Sequence, residues 1–226
     1  MPGWMPYAGW MRFAHLDESA GLQAAFTLAY KITDDGAELW SERFNRFKNI
    51  NKPSVYGAAE VLTIALPQLL GELGAKPGGT VIIPALSSRE EAANPKRALP
   101  IIAGMCAQKF GARAEIGAIS KKVHRPIHGL GGAAERAAEL DGAAYQVKHV
   151  KATTIIVLDD FITRGGTLSR IAQAALATNP GSAVYGVALG KTERRAWIHD
   201  LSNDHVPQQW DGLWRKGEQA YNAKQK

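Results

Sequence analysis

The sequence predicts an α/β fold: a parallel sheet flanked by helices, with a small β-rich addition on the amino-terminal side. Three observations carry this expectation. Residues 80–83, 154–158 and 183–189 are short apolar runs without polar alternation, which is how strands buried on both faces read. Segments of helical length separate them, as in a chain that alternates strand and helix around a parallel sheet. The 226 residues are 46% hydrophobic and 21% charged, ordinary globular values that exclude disorder, collagen and coiled coil.

Residues 1–20 carry no clear period. From Ala25 onward, Phe26, Leu28, Tyr30 and Ile32 alternate with smaller or polar residues, which predicts a half-buried strand. Asp35-Gly36 offers a hairpin turn, because glycine accepts positive φ and aspartate tolerates it. A partner strand is therefore expected near residues 37–40, making a hairpin over about 20–42. A basic, aromatic stretch, Arg43-Phe44-Asn45-Arg46-Phe47-Lys48, then leads to Pro53-Ser54. Ser54 is expected to cap a helix running to residue 73, with Ala58, Leu62, Leu66 and Leu69 on its apolar side. Pro67 should kink or split that helix.

Strands and helices alternate from there. The strand at 80–83 meets a polar loop over 84–95, and a helix is expected over 97–110. A strand candidate at 114–119 is followed by a basic, glycine-rich stretch through Gly132 and a helix at 133–140. The strand at 154–158, a helix at 168–178 and the strand at 183–189 complete the pattern. With no repeat and no linker, one domain is expected: a core of about 44–190, the amino-terminal hairpin, and a tail of about 191–226. In that tail Trp197, Trp210 and Trp214 are expected to anchor the chain on its own core.

Composition narrows the function classes. The single cysteine, Cys106, excludes an internal disulfide framework and a multi-thiolate metal site, and it points to a reducing, cytoplasmic setting. The longest uncharged stretch, residues 171–190, is broken by Asn179-Pro180-Gly181, so it reads as helix, turn and strand. The first residues lack a basic leader, and no membrane role is expected. A net charge of +6 suggests anionic partners without identifying one. No G-x-x-x-x-G-K-[ST] run occurs. Gly129-Leu130-Gly131-Gly132-Ala133-Ala134 fits G-x-G-x-x-A, but Pro126 spoils the strand that should precede it. His124 and His128 have the spacing of a helical metal pair, yet Pro126 and Gly129 argue against a helix there.

The informative stretch is Ile155-Ile156-Val157-Leu158-Asp159-Asp160-Phe161-Ile162-Thr163-Arg164-Gly165-Gly166-Thr167-Leu168. A buried strand runs into two adjacent carboxylates, and a small-residue loop then opens a helix. Ligands of open α/β sheets bind at the carboxyl ends of the strands. The loop from Thr163 to Thr167 can aim several backbone N–H groups and two hydroxyls at one phosphate, helped by the positive end of the helix. Two acids would repel a bare phosphate. They suit a ligand that presents hydroxyl groups, such as a ribose diol, or one that carries Mg²⁺. The order of strand, acid pair, phosphate loop and helix thus describes a sugar phosphate.

This stretch resembles the phosphoribosyl-pyrophosphate (PRPP) signature of the type I phosphoribosyltransferases. Asp159-Asp160 match the acid pair and Thr163-Arg164-Gly165-Gly166-Thr167 the loop. Phe161 is bulkier than the usual aliphatic residue, and Arg164 stands where a small hydroxyl residue is commoner. The wider chain, about 44–189, is most similar to the ComF-like branch, on Phe47-Lys48, Ile83-Pro84 through Arg97, Arg125-Pro126 and Arg136. The cysteine zinc finger of that branch is missing, which counts against a competence or DNA-uptake role.

The resemblance implies a type I phosphoribosyltransferase-like fold and transfer of ribose 5-phosphate from PRPP to a base or amine, with release of pyrophosphate. It makes Asp159 and Asp160 the catalytic pair, holding the diol and Mg²⁺ through ribose hydroxyls or water. Thr163, Arg164, Gly165, Gly166 and Thr167 become the 5′-phosphate loop. Ser87, Ser88 and Arg89, with Lys48 and Arg97, become pyrophosphate ligands, and Lys121, Lys122, His124, Arg125 and His128 belong to a mobile lid over 120–132. Partners compatible with this reading are PRPP or a nucleotide, a second copy in a homodimer, and nucleic acid, the last without a motif to indicate it. The alternative is a non-catalytic regulator or effector subunit that binds PRPP or a nucleotide and works with a protein or nucleic-acid partner.

Overall fold

The computed structural model describes residues 5–13, 16, 21–198 and 208–225. Its main sheet contains β1 (Met5–Tyr7), β2 (Trp10–Arg12), β3 (Ala24–Ile32), β4 (Thr80–Pro84), β5 (Arg113–Ala114), β8 (Thr154–Ile162) and β9 (Ala183–Glu193). Their order is β1-β2-β3-β9-β8-β4-β5. From β3 to β5 all neighbours are parallel, and β1-β2-β3 is an antiparallel ribbon at one edge. A separate two-stranded ribbon joins β6 (Ile119–Ser120) to β7 (Gln146–Val147). The α/β class and mostly parallel sheet expected from the apolar runs are therefore present.

The helices are α1 (Leu39–Lys48), α2 (Lys52–Glu72), α3 (Ala98–Phe110), α4 (Ala133–Gly142), α5 (Gly166–Thr178) and α6 (Gln208–Ala223). One core layer joins the sheet to α1, α2, α3 and α6 through Phe44, Leu62, Leu66, Ile102 and Trp214. The other joins the opposite face to α5 and the small ribbon through Leu168, Ile171, Ile119 and Val147. Among the described residues, no helix is long and apolar enough to cross a membrane.

The hairpin expected over 20–42 is not formed. Residues 39–42 begin α1, and Glu38 caps it by accepting the Trp40 and Ser41 amides at 3.0 and 2.8 Å. Ser41 Oγ accepts the Ile32 amide at 2.6 Å, tying the new helix to the end of β3. Trp40, Phe44 and Phe47 recur at helical spacing and are buried, and this signal outweighs the Asp35-Gly36 turn. β3 itself is an interior strand, between β2 and β9, so the sheet begins before residue 44. The β-rich addition lies earlier. β1 and β2 turn at Ala8 and Gly9, both with positive φ, and three-residue strands are too short to show a period.

Smaller corrections have equally local causes. Asn51, rather than Ser54, caps α2 by accepting the Ser54 amide at 3.2 Å, while Ser54 Oγ donates to Glu218. Pro67 does not split that helix. The strand foreseen at 114–119 is divided between β5 and β6. β8 runs on through both acids to Ile162, and α5 starts at Gly166 rather than 168.

The tail packs as a helix on α2, with Trp210 and Trp214 buried, whereas Trp197 is 48% exposed. The close approach uses Gly217, where a Cβ would run into the Tyr56 carbonyl oxygen and come within 2.8 Å of Gly57 Cα. Gly217→Ala should therefore overpack the α2–α6 contact and cost about 1–3 kcal/mol, lowering Tm by several degrees. Gly104→Ala in α3, where a Cβ meets nothing within 4 Å, should raise Tm slightly in the same assay. Burial also pushes the Cys106 thiol up to about 12. At pH 8 it should resist a maleimide in the native protein and react in urea, as read by mass spectrometry.

The connections set where a ligand can sit. From β4 the chain passes through α3 to β5 on one side, and from β8 through α5 to β9 on the other. The strand order thus reverses between adjacent β4 and β8, and their carboxyl ends flank a crevice.

Candidate functional site

Asp159 and Asp160 stand at the carboxyl end of β8, on the crevice. Asp159 Oδ1 accepts the Asp160 amide at 2.8 Å, and Asp160 Oδ1 accepts the Phe161 amide at 2.7 Å. These bonds follow from adjacency and hold both carboxyls against the strand. Burial, then the charge of Asp160, pushes Asp159 well above the ordinary carboxylate range, and Lys48 opposes that shift. Two carboxylates held this close repel each other, so the pair favours a cation or hydroxyl donors between them.

The loop after the acids has the features a phosphate cradle needs. Gly165 has φ +72°, in the left-handed region, and a Cβ there would lie 2.9 Å from Leu16 Cδ2. At Gly166 a Cβ would lie 2.9 Å from Leu140 Cδ1. Gly165 occupies the cap position of α5, and among the described residues no side chain bonds the leading amides of that helix. Thr163 and Arg164 are exposed beside them, while Thr167 is half-buried and its side chain neighbours Tyr145.

Tyr145, which lies just before β7, links three parts of the site. Burial and then the Asp159 charge push its phenol up, and the neighbouring Thr167 side chain opposes that shift. His124 Nε2 lies 3.3 Å from its hydroxyl, and Lys121 Nζ lies 5.9 Å from its ring centroid. The segment foreseen as a lid thus touches the phosphate loop through one tyrosine.

The loop after β4 is folded by Glu90. The Ser87 amide donates to Glu90 Oε2 at 2.9 Å, Arg97 pairs with the same oxygen at 2.8 Å, and Arg97 also donates to Ser87 Oγ at 3.1 Å. The Ser88 carbonyl accepts from Lys121 Nζ and from the His124 amide, each at 3.0 Å. Arg89 is exposed. Ser87, Ser88, Arg97, Lys121 and His124 are thereby brought into one cluster. Lys122 is exposed, and its amide donates to the Ala143 carbonyl.

Arg125 is engaged elsewhere. Its amide and guanidinium hold Glu139 at 2.7–2.9 Å, with Glu135 at 3.5 Å, so it fastens the segment to α4. An open cleft of about 310 Å³ between Val123, Arg125 and Glu139 lies beside this segment, apart from the acid pair. His128 falls in a short 3₁₀ turn, Ile127–Gly129, and its side chain lies outside the described residues. Lys48, expected from sequence as a pyrophosphate ligand, stands 5.9 Å from the Phe161 ring centroid, where its charge also favours ionised Asp159.

Sequence reasoning missed Lys31, Glu90 and Tyr145. Lys31 Nζ, at the end of β3, lies 5.6 Å from the Phe161 centroid; burial and then Lys48 hold it below the usual lysine range, while Asp160 raises it. Its role follows from β3 being an interior strand, which the assumed hairpin hid. Ser87-x-x-Glu90 is a capping-box pattern and was legible. Nothing local marks Tyr145, whose contacts to Thr167 and His124 are all tertiary.

Among the described residues there is no group of three or more His, Cys, Asp or Glu side chains that could hold a metal ion. Two carboxylates alone cannot complete a divalent ion's coordination. They fit a hard cation that takes its remaining oxygens from a ligand and water, as Mg²⁺ does. In comparison with known proteins, no family model matches the chain, and no curated protein is a significant match to it.

Proposed function

We propose that the protein is a phosphoribosyltransferase with a type I phosphoribosyltransferase-like fold, moving ribose 5-phosphate from PRPP to a nitrogenous acceptor with release of pyrophosphate. The observation that carries this reading is the acid pair at the end of β8 followed at once by the left-handed Gly165 and the start of α5, at the strand-order reversal. A ligand spanning these features needs a phosphate at one end and hydroxyls or a bound cation next to it. A ribose 5-phosphate has that length and order.

Asp159 and Asp160 would hold the ribose 2′- and 3′-hydroxyls and, through them or through water, Mg²⁺, which would offset the charge of the departing pyrophosphate. The amides from Gly166 to Leu168 and the Thr163 and Thr167 hydroxyls would bind the 5′-phosphate. Ser87, Ser88 and Lys121 would face the pyrophosphate, with Glu90 and Arg97 keeping that loop in shape. Positive charge that develops on the sugar during transfer lies close to the two carboxylates.

The reading is tested by pyrophosphate release from PRPP with a panel of bases and amines in the presence of Mg²⁺. A chain that binds PRPP but turns over with no acceptor would be a PRPP-binding regulator instead. Tyr145→Phe removes the hydroxyl that neighbours Thr167 and meets His124, so PRPP affinity should fall about 3–10-fold, with little change in Tm. An unchanged affinity by calorimetry would remove Tyr145 from the phosphate site.

A further inference from the structure

β3, β9 and β8 end side by side, in a register that aligns Ala29 with Gly190 and Gly190 with Phe161. A Cβ on Gly190 would lie 2.7 Å from Phe44 Cε2 and 3.2 Å from Phe161 Cδ1. The Phe161 ring therefore uses the space above Gly190 and reaches toward β3, backed by Phe44 at 5.4 Å between centroids. The half-buried ring leaves part of its surface open at the mouth of the crevice. Lys31, two residues beyond Ala29, and Lys48, at the end of α1, stand 5.6 and 5.9 Å from its centroid. Neither lysine makes a direct ion pair with a described residue. The result is an apolar ring with two ammonium groups over it, on the residue next to the acids.

The placement of this cluster relative to the β4 loop follows from the sheet order. Displacement at C1 of the sugar requires the leaving pyrophosphate and the incoming nucleophile to occupy opposite sides of the carbon. The β4 loop with Ser87 and Ser88 lies on one flank of β8, and β9 and β3 lie on the other, where β3 carries Lys31 and the Phe161 ring extends from β8 over Gly190. We propose that Phe161, Lys31 and Lys48 form the acceptor pocket and select a planar aromatic nucleophile that bears an acidic group. This assignment rests on the phosphoribosyl-transfer reading and specifies its substrate class. The acceptor's aromatic ring packs on Phe161, and its carboxylate or other acid faces the two lysines. A ring nitrogen donates its lone pair to C1 while the C1–O bond breaks with its electron pair leaving on pyrophosphate. A proton on that nitrogen, where present, passes to water.

Calorimetric titration with matched aromatic pairs tests the pocket without requiring turnover. Orotate is compared with uracil, and nicotinate with nicotinamide, each with ribose 5-phosphate and Mg²⁺ present. At least one acidic member should bind ten-fold or more tightly than its neutral partner. Lys31→Gln and Lys48→Gln should each remove most of that preference while leaving the neutral compound's affinity unchanged, and Phe161→Leu should weaken both members. Equal or tighter binding of the neutral members overturns the proposal, as does no binding by any acidic member. So does a Lys31→Gln protein that loses affinity for inorganic pyrophosphate while keeping its preference for the acid. The same titrations report ribose 5-phosphate binding. Its absence marks failure of the transfer reading, whereas a neutral preference in a chain that binds the sugar phosphate marks failure of the acceptor class alone.

Discussion

The double substitution Asp159→Asn with Asp160→Asn is expected to weaken PRPP binding at least about 100-fold while making the folded protein more stable. Hydrogen bonds to a charged group contribute about 1.5–3 kcal/mol each, so losing one from each carboxylate accounts for that factor. The gain in stability has a separate cause. Burial and the neighbouring carboxylate raise Asp159 in the folded state above its unfolded value. A group shifted in that direction contributes stability below the ordinary carboxylate range near 4, and loses it as the pH rises through the raised folded value. At neutral pH the pair therefore works against the fold, and the amides relieve it. The Tm difference between variant and wild type should be small at pH 4 and grow toward pH 8, by about 2–4 °C for each kcal/mol relieved. Thermal melts across that range and a PRPP titration at pH 7.5 check both halves. Unchanged PRPP affinity would remove the diol from the acids, and a variant that melts lower at pH 8 would show that the acids support the fold.

The same residues explain how far the sequence could be read. Three strands of the parallel sheet, β4, β8 and β9, were legible because burial on both faces leaves a continuous apolar run in each. The acid pair at the end of a strand and the glycine loop that opens a helix were legible because they are contiguous in sequence. What was lost depends on distance along the chain. β3 alternates like an edge strand, yet it lies between β2 and β9, and its partner follows it by about 160 residues. Treating it as half of a hairpin concealed Lys31. The strand periodicity also slips where it matters. Leu28 and Ala29 both belong to the core layer under α1 and α2, and so do Leu158 and Phe161, while Ile162 belongs to the opposite layer. A strict period of two would have turned the Phe161 ring away from that layer. Its actual position comes from Gly190 and Phe44, which no window around residue 161 contains.

Replacing Gly165 with valine should separate the geometry of the phosphate loop from its chemistry. At φ +72° an L-residue pays about 1–2 kcal/mol, and its Cβ would sit 2.9 Å from Leu16 Cδ2, a buried side chain of the α5-facing core. Relief requires the loop to move off Leu16, which swings the amides of Gly166 and Thr167 away from the position they share over a phosphate. The expected results are a Tm lower by about 4 °C or more and a PRPP affinity lower by at least about ten-fold. Gly181→Val serves as the control. Gly181 also has a left-handed φ, +86°, but a Cβ there meets nothing within 4 Å, and it lies in the turn between α5 and β9, at the amino end of β9 and away from the carboxyl ends of the strands. That variant should share the loss of stability and retain PRPP affinity. If both variants lose affinity in proportion to their loss of Tm, the loop is merely a turn. If only Gly165→Val loses it, the left-handed glycine is what aims the α5 amides at the ligand, and the acids that precede it then have a phosphate ester, rather than a free cation, to hold.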